Sequence, residues 1–144
     1  MKKILLLSLL VAQSSNAWEI NQNDVAVQAS ENQISINEFT TMVYATGYLS
    51  LSRFISDSCG GQNEITRIYE VNKTPVKFNV FCNGDSNRST VDAIPKTEKG
   101  KAFLLNEFKT KNTVTIGKYK FSAIGFNDAT LKIKAVEERN KNAI

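Results

Sequence analysis

"SINEFTTMVYATGYLSLSRFISDSCGG", residues 35–61, carries the longest sustained apolar period in the chain, and its reading sets the fold. Ser35 followed by Glu38 has the form of a capping box, and Gly60 or Gly61 supplies the left-handed residue that commonly ends a helix. At about 100° per residue, Ile36, Val43, Gly47, Leu51 and Phe54 fall on one line, flanked by Phe39, Tyr44, Tyr48 and Ile55. This spacing predicts a long helix over 35–59. Met42, Ala45 and Leu49 fall on its opposite side, among Glu38, Ser52, Arg53 and Ser56. Such a trio is either covered by the preceding arm or forms a candidate partner surface, through which an oligomer or an assembly would dock.

Working outward toward the start, "MKKILLLSLLVAQSSNA" has the three parts of a secretory signal peptide: Lys2 and Lys3, an apolar run from Ile4 to Val11, and small residues at Ser15 and Ala17. The apolar run is far shorter than the ~20 residues a permanent membrane helix needs. Residues 1–17 are therefore expected to be removed on export, giving a periplasmic or secreted chain without a membrane span. The mature chain, 18–144, has the length of a single domain. Two of the 18 basic residues leave with the signal while all 14 acidic ones stay, so the net charge falls from +4 to +2. That weakens any argument for nucleic acid from the basic pI. Residues 18–34 read as a polar arm or edge strand, with an alternation at Val25, Val27 and Ala29.

Export also decides how the cysteines are read. Cys59 and Cys82 are the only two, and in an oxidising compartment they are expected to form a disulfide. Closing a loop of this length adds roughly 3 kcal/mol in the chain-entropy account. The chain has no histidine, and two thiolates alone cannot complete a zinc shell, so neither a metal nor any other cofactor is implied. The 22 residues between the cysteines also exclude the two-residue spacing of thioredoxin-like chemistry.

Beyond Gly61 the period changes from helical to alternating. Glu64 to Val71 is rich in β-branched and aromatic residues, and Val76, Phe78, Val80 and Cys82 alternate with polar neighbours, pointing Cys82 inward. Residues 83–89 read as a loop, and Thr90 to Ile94 as a third strand before Pro95. A helix is predicted over 97–111, capped by Thr97, with Glu98 in its first turn, Lys109 and Lys111 in its last and Asn112 closing it. Val114 and Ile116, then Tyr119, Phe121 and Ala123, then Leu131, Ile133 and Ala135 predict further strands, with a bulge at Ala123–Ile124 and a polar tail over 137–144. Gly117 is either a hairpin turn or a kink within one strand.

The expected fold class is α+β: the long N-terminal helix followed by a body over 64–136, with one disulfide. If Gly117 is a kink, three strands, a helix and two strands come after the first helix. That order resembles the oligonucleotide/oligosaccharide-binding barrel and is similar to the B subunits of exported bacterial toxins, which hold glycans with it. The likeness is one of strand order alone, without a shared motif. If Gly117 is a turn, six strands form an antiparallel sheet backed by two helices.

Without histidine, the commonest general base is missing. Asp57, Glu64, Asp85 and Asp92 stand at no spacing that predicts paired-carboxylate catalysis, and no catalytic residue is assigned. Lys118, Lys120, Lys132 and Lys134 alternate with apolar residues and form a candidate basic face. No aromatic series interleaves with them, which disfavours single-stranded nucleic acid as the partner. The function expected is that of an exported, non-enzymatic binding module of a bacterial envelope that recognises a protein or glycan, such as an inhibitor, an immunity-type protein or a toxin-subunit-like binder. The alternative is a structural component of an envelope or secretion assembly, and a third class is a hydrolase using carboxylates alone.

Overall fold

The computed structural model describes residues 18–32, 39–45, 47–55, 59, 64–84 and 89–144. The expected signal peptide at 1–17 and the capping pair Ser35 and Glu38 lie outside them. The described chain is mostly sheet. It begins with β1 (Glu19–Ile20), β2 (Ala26–Ala29), β3 (Phe39–Ala45) and β4 (Tyr48–Ile55). A second run holds β5 (Ile65–Val71), β6 (Thr74–Gly84) and β7 (Ser89–Pro95), followed by helix α1 (Glu98–Thr110). The chain ends with β8 (Thr113–Ile116), β9 (Tyr119–Ser122) and helix α2 (Phe126–Lys141). All strands join one antiparallel sheet in the order β1-β2-β3-β4-β7-β6-β5-β8-β9, curled into a half-barrel. The amide of Glu31, just after β2, donates to the carbonyl of Lys120 in β9 at 2.8 Å, so the curl brings the two sides of the sheet together.

The long N-terminal helix does not exist. Phe39–Ala45 and Tyr48–Ile55 pair instead as the arms of a β-hairpin, with Met42 opposite Leu51, Tyr44 opposite Leu49 and Ala45 opposite Tyr48. Gly47, at φ +87°, occupies the turn, a conformation that side chains with a Cβ rarely adopt. Thr40, Met42 and Tyr44 face inward from β3, and Leu49, Leu51 and Arg53 face inward from β4, so the inward parity switches across the turn. β-branched and aromatic residues make up five of the seven residues of β3, which suits a pleated surface better than a helix. The expectation at the other end fails in the opposite sense. Leu131, Ile133 and Ala135 lie on helix α2, not on a strand, and the helix runs through most of the expected polar tail. Phe126, Ala129 and Ile133 are its buried residues, a helical spacing, whereas Leu131 is 67% exposed. No bulge forms at Ala123–Ile124, because β9 has already ended at Ser122 and Gly125, at φ +83°, starts the helix. Gly117 is a hairpin turn, so the kinked five-stranded order does not arise.

Between these corrections the strands and the helix follow the pattern read from the sequence. Val76, Phe78 and Val80 are buried as their alternation requires, and so are Val114, Ile116, Tyr119 and Phe121. Helix α1 starts where Thr97 accepts from the amide of Gly100 at 3.0 Å, although its last cap is Lys111, not Asn112. A Cβ on Gly100 would come within 3.2 Å of Val76, so this glycine lets α1 sit close against β6. The N-terminal arm is β1 and β2, but its inward residues are Ala26, Gln28 and Ser30, the opposite parity from Val25, Val27 and Ala29.

One half of the concave face is filled by the two helices. Trp18, Phe108 and Phe126 stack there with ring centroids 4.9–5.5 Å apart, and Trp18 donates its indole N–H to the carbonyl of Ser122 at 3.1 Å. Tyr44 adds an edge contact to Phe126 at 5.4 Å. Burial, with the nearby Glu137 charge behind it, pushes the Tyr44 hydroxyl above its ordinary range. A folded-state value raised above the unfolded one favours the neutral phenol, so its contribution is complete below about pH 10 and fades as pH rises through the folded value. Tyr44→Phe is therefore expected to flatten the alkaline decline in stability, measured by urea unfolding at several pH values around and above 10.

The turn joining β5 to β6 anchors the sheet to α1. Asn72 and Lys73 both have positive φ, 45° and 70°, the geometry of a type I′ hairpin turn. Asn72 donates its side-chain amide to the buried Glu107 carboxylate at 2.6 Å and accepts from the amide and hydroxyl of Thr115 at 2.9 and 3.1 Å. One side chain thus ties β5, β8 and α1 together. Asn72→Ala should cost about 2–3 kcal/mol in denaturant unfolding, because it strands a buried carboxylate and strains the turn.

Candidate functional site

The other half of the concave face is open. Strand β4 presents Leu51, Arg53 and Ile55 to it, β7 presents Val91 and Ala93, β6 presents Val80 and Cys82, and β5 presents Ile65, Arg67 and Tyr69. The β8–β9 hairpin closes one side with Ile116, Gly117, Lys118 and Tyr119. Two adjoining depressions result. The first, about 290 Å³, has an apolar floor of Leu51, Val91, Ala93 and Ile116. The second, about 260 Å³, runs past Ile65, Arg67 and Val80 to the Cys59–Cys82 bond. Arg53, Tyr69 and Val91 line both, which makes them one cleft.

The electrostatics of this cleft are one-signed. Arg53, Arg67 and Lys118 line it, and no carboxylate does among the described residues. Neither guanidinium has a hydrogen bond or ion pair among the described residues, whose only ion pairs are Lys101 with Glu98 and Lys120 with Glu31. Lys118 rests its ammonium 5.4 Å from the centre of the Tyr119 ring. The Tyr119 hydroxyl oxygen is buried without a hydrogen-bond partner among the described residues, and its residue, 7% exposed, lines the first depression. A buried hydroxyl normally finds a partner. Positive forks and an apolar floor in one cleft suit a ligand that is anionic at one point and apolar at another.

The disulfide predicted from the sequence is present, with the Cα atoms of Cys59 and Cys82 5.6 Å apart, and it pins the rim of this cleft. The candidate partner surface is not a surface: Met42 is 0% and Leu49 3% exposed, both in the core, and only Ala45 is partly open. The four lysines of the candidate basic face do not share a strand pair. Lys118 stands at the cleft, Lys120 pairs with Glu31 at 3.4 Å, and Lys132 and Lys134 are exposed on α2. Asp92 accepts from the Ser52 hydroxyl at 2.6 Å and from the Asn83 amide at 3.4 Å, and Glu64 is exposed. Asp57 and Asp85 lie outside the described residues. No group of three or more metal-ligating side chains occurs among the described residues.

Sequence reasoning missed Arg53, Arg67, Tyr69 and Tyr119 as a set. Arg67 carried a usable signal, since it shares its parity with Ile65, Tyr69 and Val71, the inward positions of β5. A cation on a core-facing parity marks a site more sharply than lysines on an outer one. Arg53 carries no such signal where 35–59 reads as a helix. No protein-family model matches the chain, and neither curated proteins nor solved structures give a significant match. Among the described residues no helix is long and apolar enough to cross a membrane. The disulfide is consistent with an extracellular or periplasmic setting.

Proposed function

We propose that this is an exported, non-enzymatic binding protein whose ligand sits in the cleft of the half-barrel. The observation that carries the reading is the pair of guanidiniums, Arg53 and Arg67, which line the cleft without a hydrogen bond or ion pair among the described residues, beside its apolar floor. Arg53 is half-buried and Arg67 exposed, so both guanidiniums are open to a bound anionic group, to which they would donate charge-assisted hydrogen bonds. The envelope setting rests on the signal peptide read from residues 1–17 and on the disulfide. Protein and acidic glycan remain the two ligand chemistries that suit the cleft. The seam that motivated a structural assembly role lies in the core, so nothing favours that alternative.

A glycan array and a capture from envelope extract test the reading when each is run with the native chain and with the Arg53→Glu, Arg67→Glu double variant. The proposal expects ligands that the native chain binds and the double variant loses. Ligands held equally by both place the binding surface elsewhere and refute it.

A further inference from the structure

One wall of the cleft is a strand edge left mostly unpaired among the described residues. The two-residue turn at Asn72–Lys73 makes Val71 and Thr74 a hydrogen-bonded pair, and the alternation of antiparallel pairing then assigns the bonds to β6 to Val71, Tyr69, Arg67 and Ile65. Glu70, Ile68 and Thr66 direct their backbone groups the other way. The bonds beyond the turn agree with this assignment, since Gly117 donates to the carbonyl of Glu70 at 2.9 Å and Asn72 donates to that of Thr115 at 3.0 Å. There the pairing stops. Strand β8 meets β5 only at Val71–Ile116, because its chain turns back at Gly117–Lys118. The amide and carbonyl of Thr66 and of Ile68 therefore meet no other backbone group among the described residues. Ile68 is 62% exposed, and Ile65, Thr66 and Arg67 are exposed too.

Edge strands are ordinarily protected by brevity, by charge, by proline or by a covering element. β5 has seven residues and no proline, and its one cation, Arg67, points into the cleft. We infer that the free edge of β5 takes an extended acidic segment of a partner protein as an added strand. This rests on the cleft reading and chooses protein over glycan within it.

The register dictates the segment's pattern. Residues of an added strand that face the concave side would lie beside Ile65, Arg67 and Tyr69, with Arg53 across the cleft and Lys118 at its end. Residues that face outward would lie beside Thr66, Ile68 and Glu70; the Lys96 ammonium is bonded there to the Thr66 hydroxyl at 3.0 Å, Glu70 repels an acid, and an apolar side chain covers Ile68. The expected segment alternates acidic and apolar or β-branched residues. Main-chain bonds would supply affinity and the two arginines the choice of sequence.

Selection of random linear decapeptides displayed on phage against the disulfide-bonded protein tests this. The result expected is enrichment of peptides with acids at alternate positions, whose synthetic forms lose tenfold or more in affinity on the Ile68→Pro variant, on Arg67→Glu and when their own amides are N-methylated. The Ile68 amide faces the edge, so proline there removes no bond to β6, and the N-methylated peptides give the same answer on the unaltered protein. Peptides that keep their affinity through Ile68→Pro and N-methylation but lose it on Val91→Trp overturn strand addition and leave the cleft reading standing. An absence of enriched peptides also overturns the inference, and a glycan lost on the double arginine variant would then keep the cleft as the binding site.

Discussion

Met42→Lys is expected to abolish or nearly abolish folding, while Val43→Lys leaves a folded protein. Met42 is fully buried on the inward face of β3, opposite Leu51 and Gln28, and an ammonium placed there meets no carboxylate from its cross-strand neighbours. The cost of an unpaired buried charge belongs to the exceptional end of single substitutions, roughly 4 kcal/mol or more. Val43, one residue on, faces outward opposite Val27 and Ser50 and is only partly covered, so its replacement should cost about 1 kcal/mol or less. Circular dichroism with urea titration of the two variants reads this difference. A helix would give another result, because adjacent positions there differ by about 100° and Met42 would stand on the face away from Val43 in the polar arc. The same chemistry at neighbouring positions therefore tests the strand assignment at its most consequential place.

The second large effect is expected at Phe126, where truncation to alanine should cost about 3–5 kcal/mol. Its ring is fully buried and contacts Trp18, Tyr44 and Phe108, which come from before β1, from β3 and from α1. The cavity left behind would open at the junction of three separate pieces of chain, and such a junction cannot collapse without moving one of them. Stability of small domains totals roughly 5–15 kcal/mol, so the variant should melt at a markedly lower temperature. Leu131→Ala, on the same helix but 67% exposed, should change stability by no more than about 0.5 kcal/mol. Equal effects at the two positions would contradict the helical assignment of 126–141.

Those two elements are also where the sequence misleads, and the reason is the same arithmetic. A hairpin switches inward parity at its turn, so the spacing between Met42 and Leu49, and between Tyr44 and Leu51, is seven residues, two helical turns. Two short strands read together thus imitate one amphipathic helix, and only Gly47 marks the break. In α2 the imitation runs the other way. Leu131, Ile133 and Ala135 alternate by chance among lysines, while the true period is carried by Phe126, Ala129 and Ile133, beginning before the alternation does. Where propensity, turn chemistry and period agree, as in β6, the core-facing residues Val76, Phe78 and Val80 are legible in the sequence. The disulfide was legible because it needed only two cysteines and an oxidising compartment. The cleft was not, since its charge is assembled from β4, β5 and a hairpin tip that are distant in the chain.

The central claim is that the cleft is a built anionic-and-apolar binding site. Anilinonaphthalene sulfonate carries both features on one small body, and its fluorescence rises when its rings leave water. The account predicts a single saturable dye site on the folded protein, abolished by Arg53→Glu with Arg67→Glu and by Val91→Trp, and retained by Lys132→Glu with Lys134→Glu on α2. Dye binding that survives the arginine and tryptophan substitutions, or that is lost with the two α2 lysines, would contradict it.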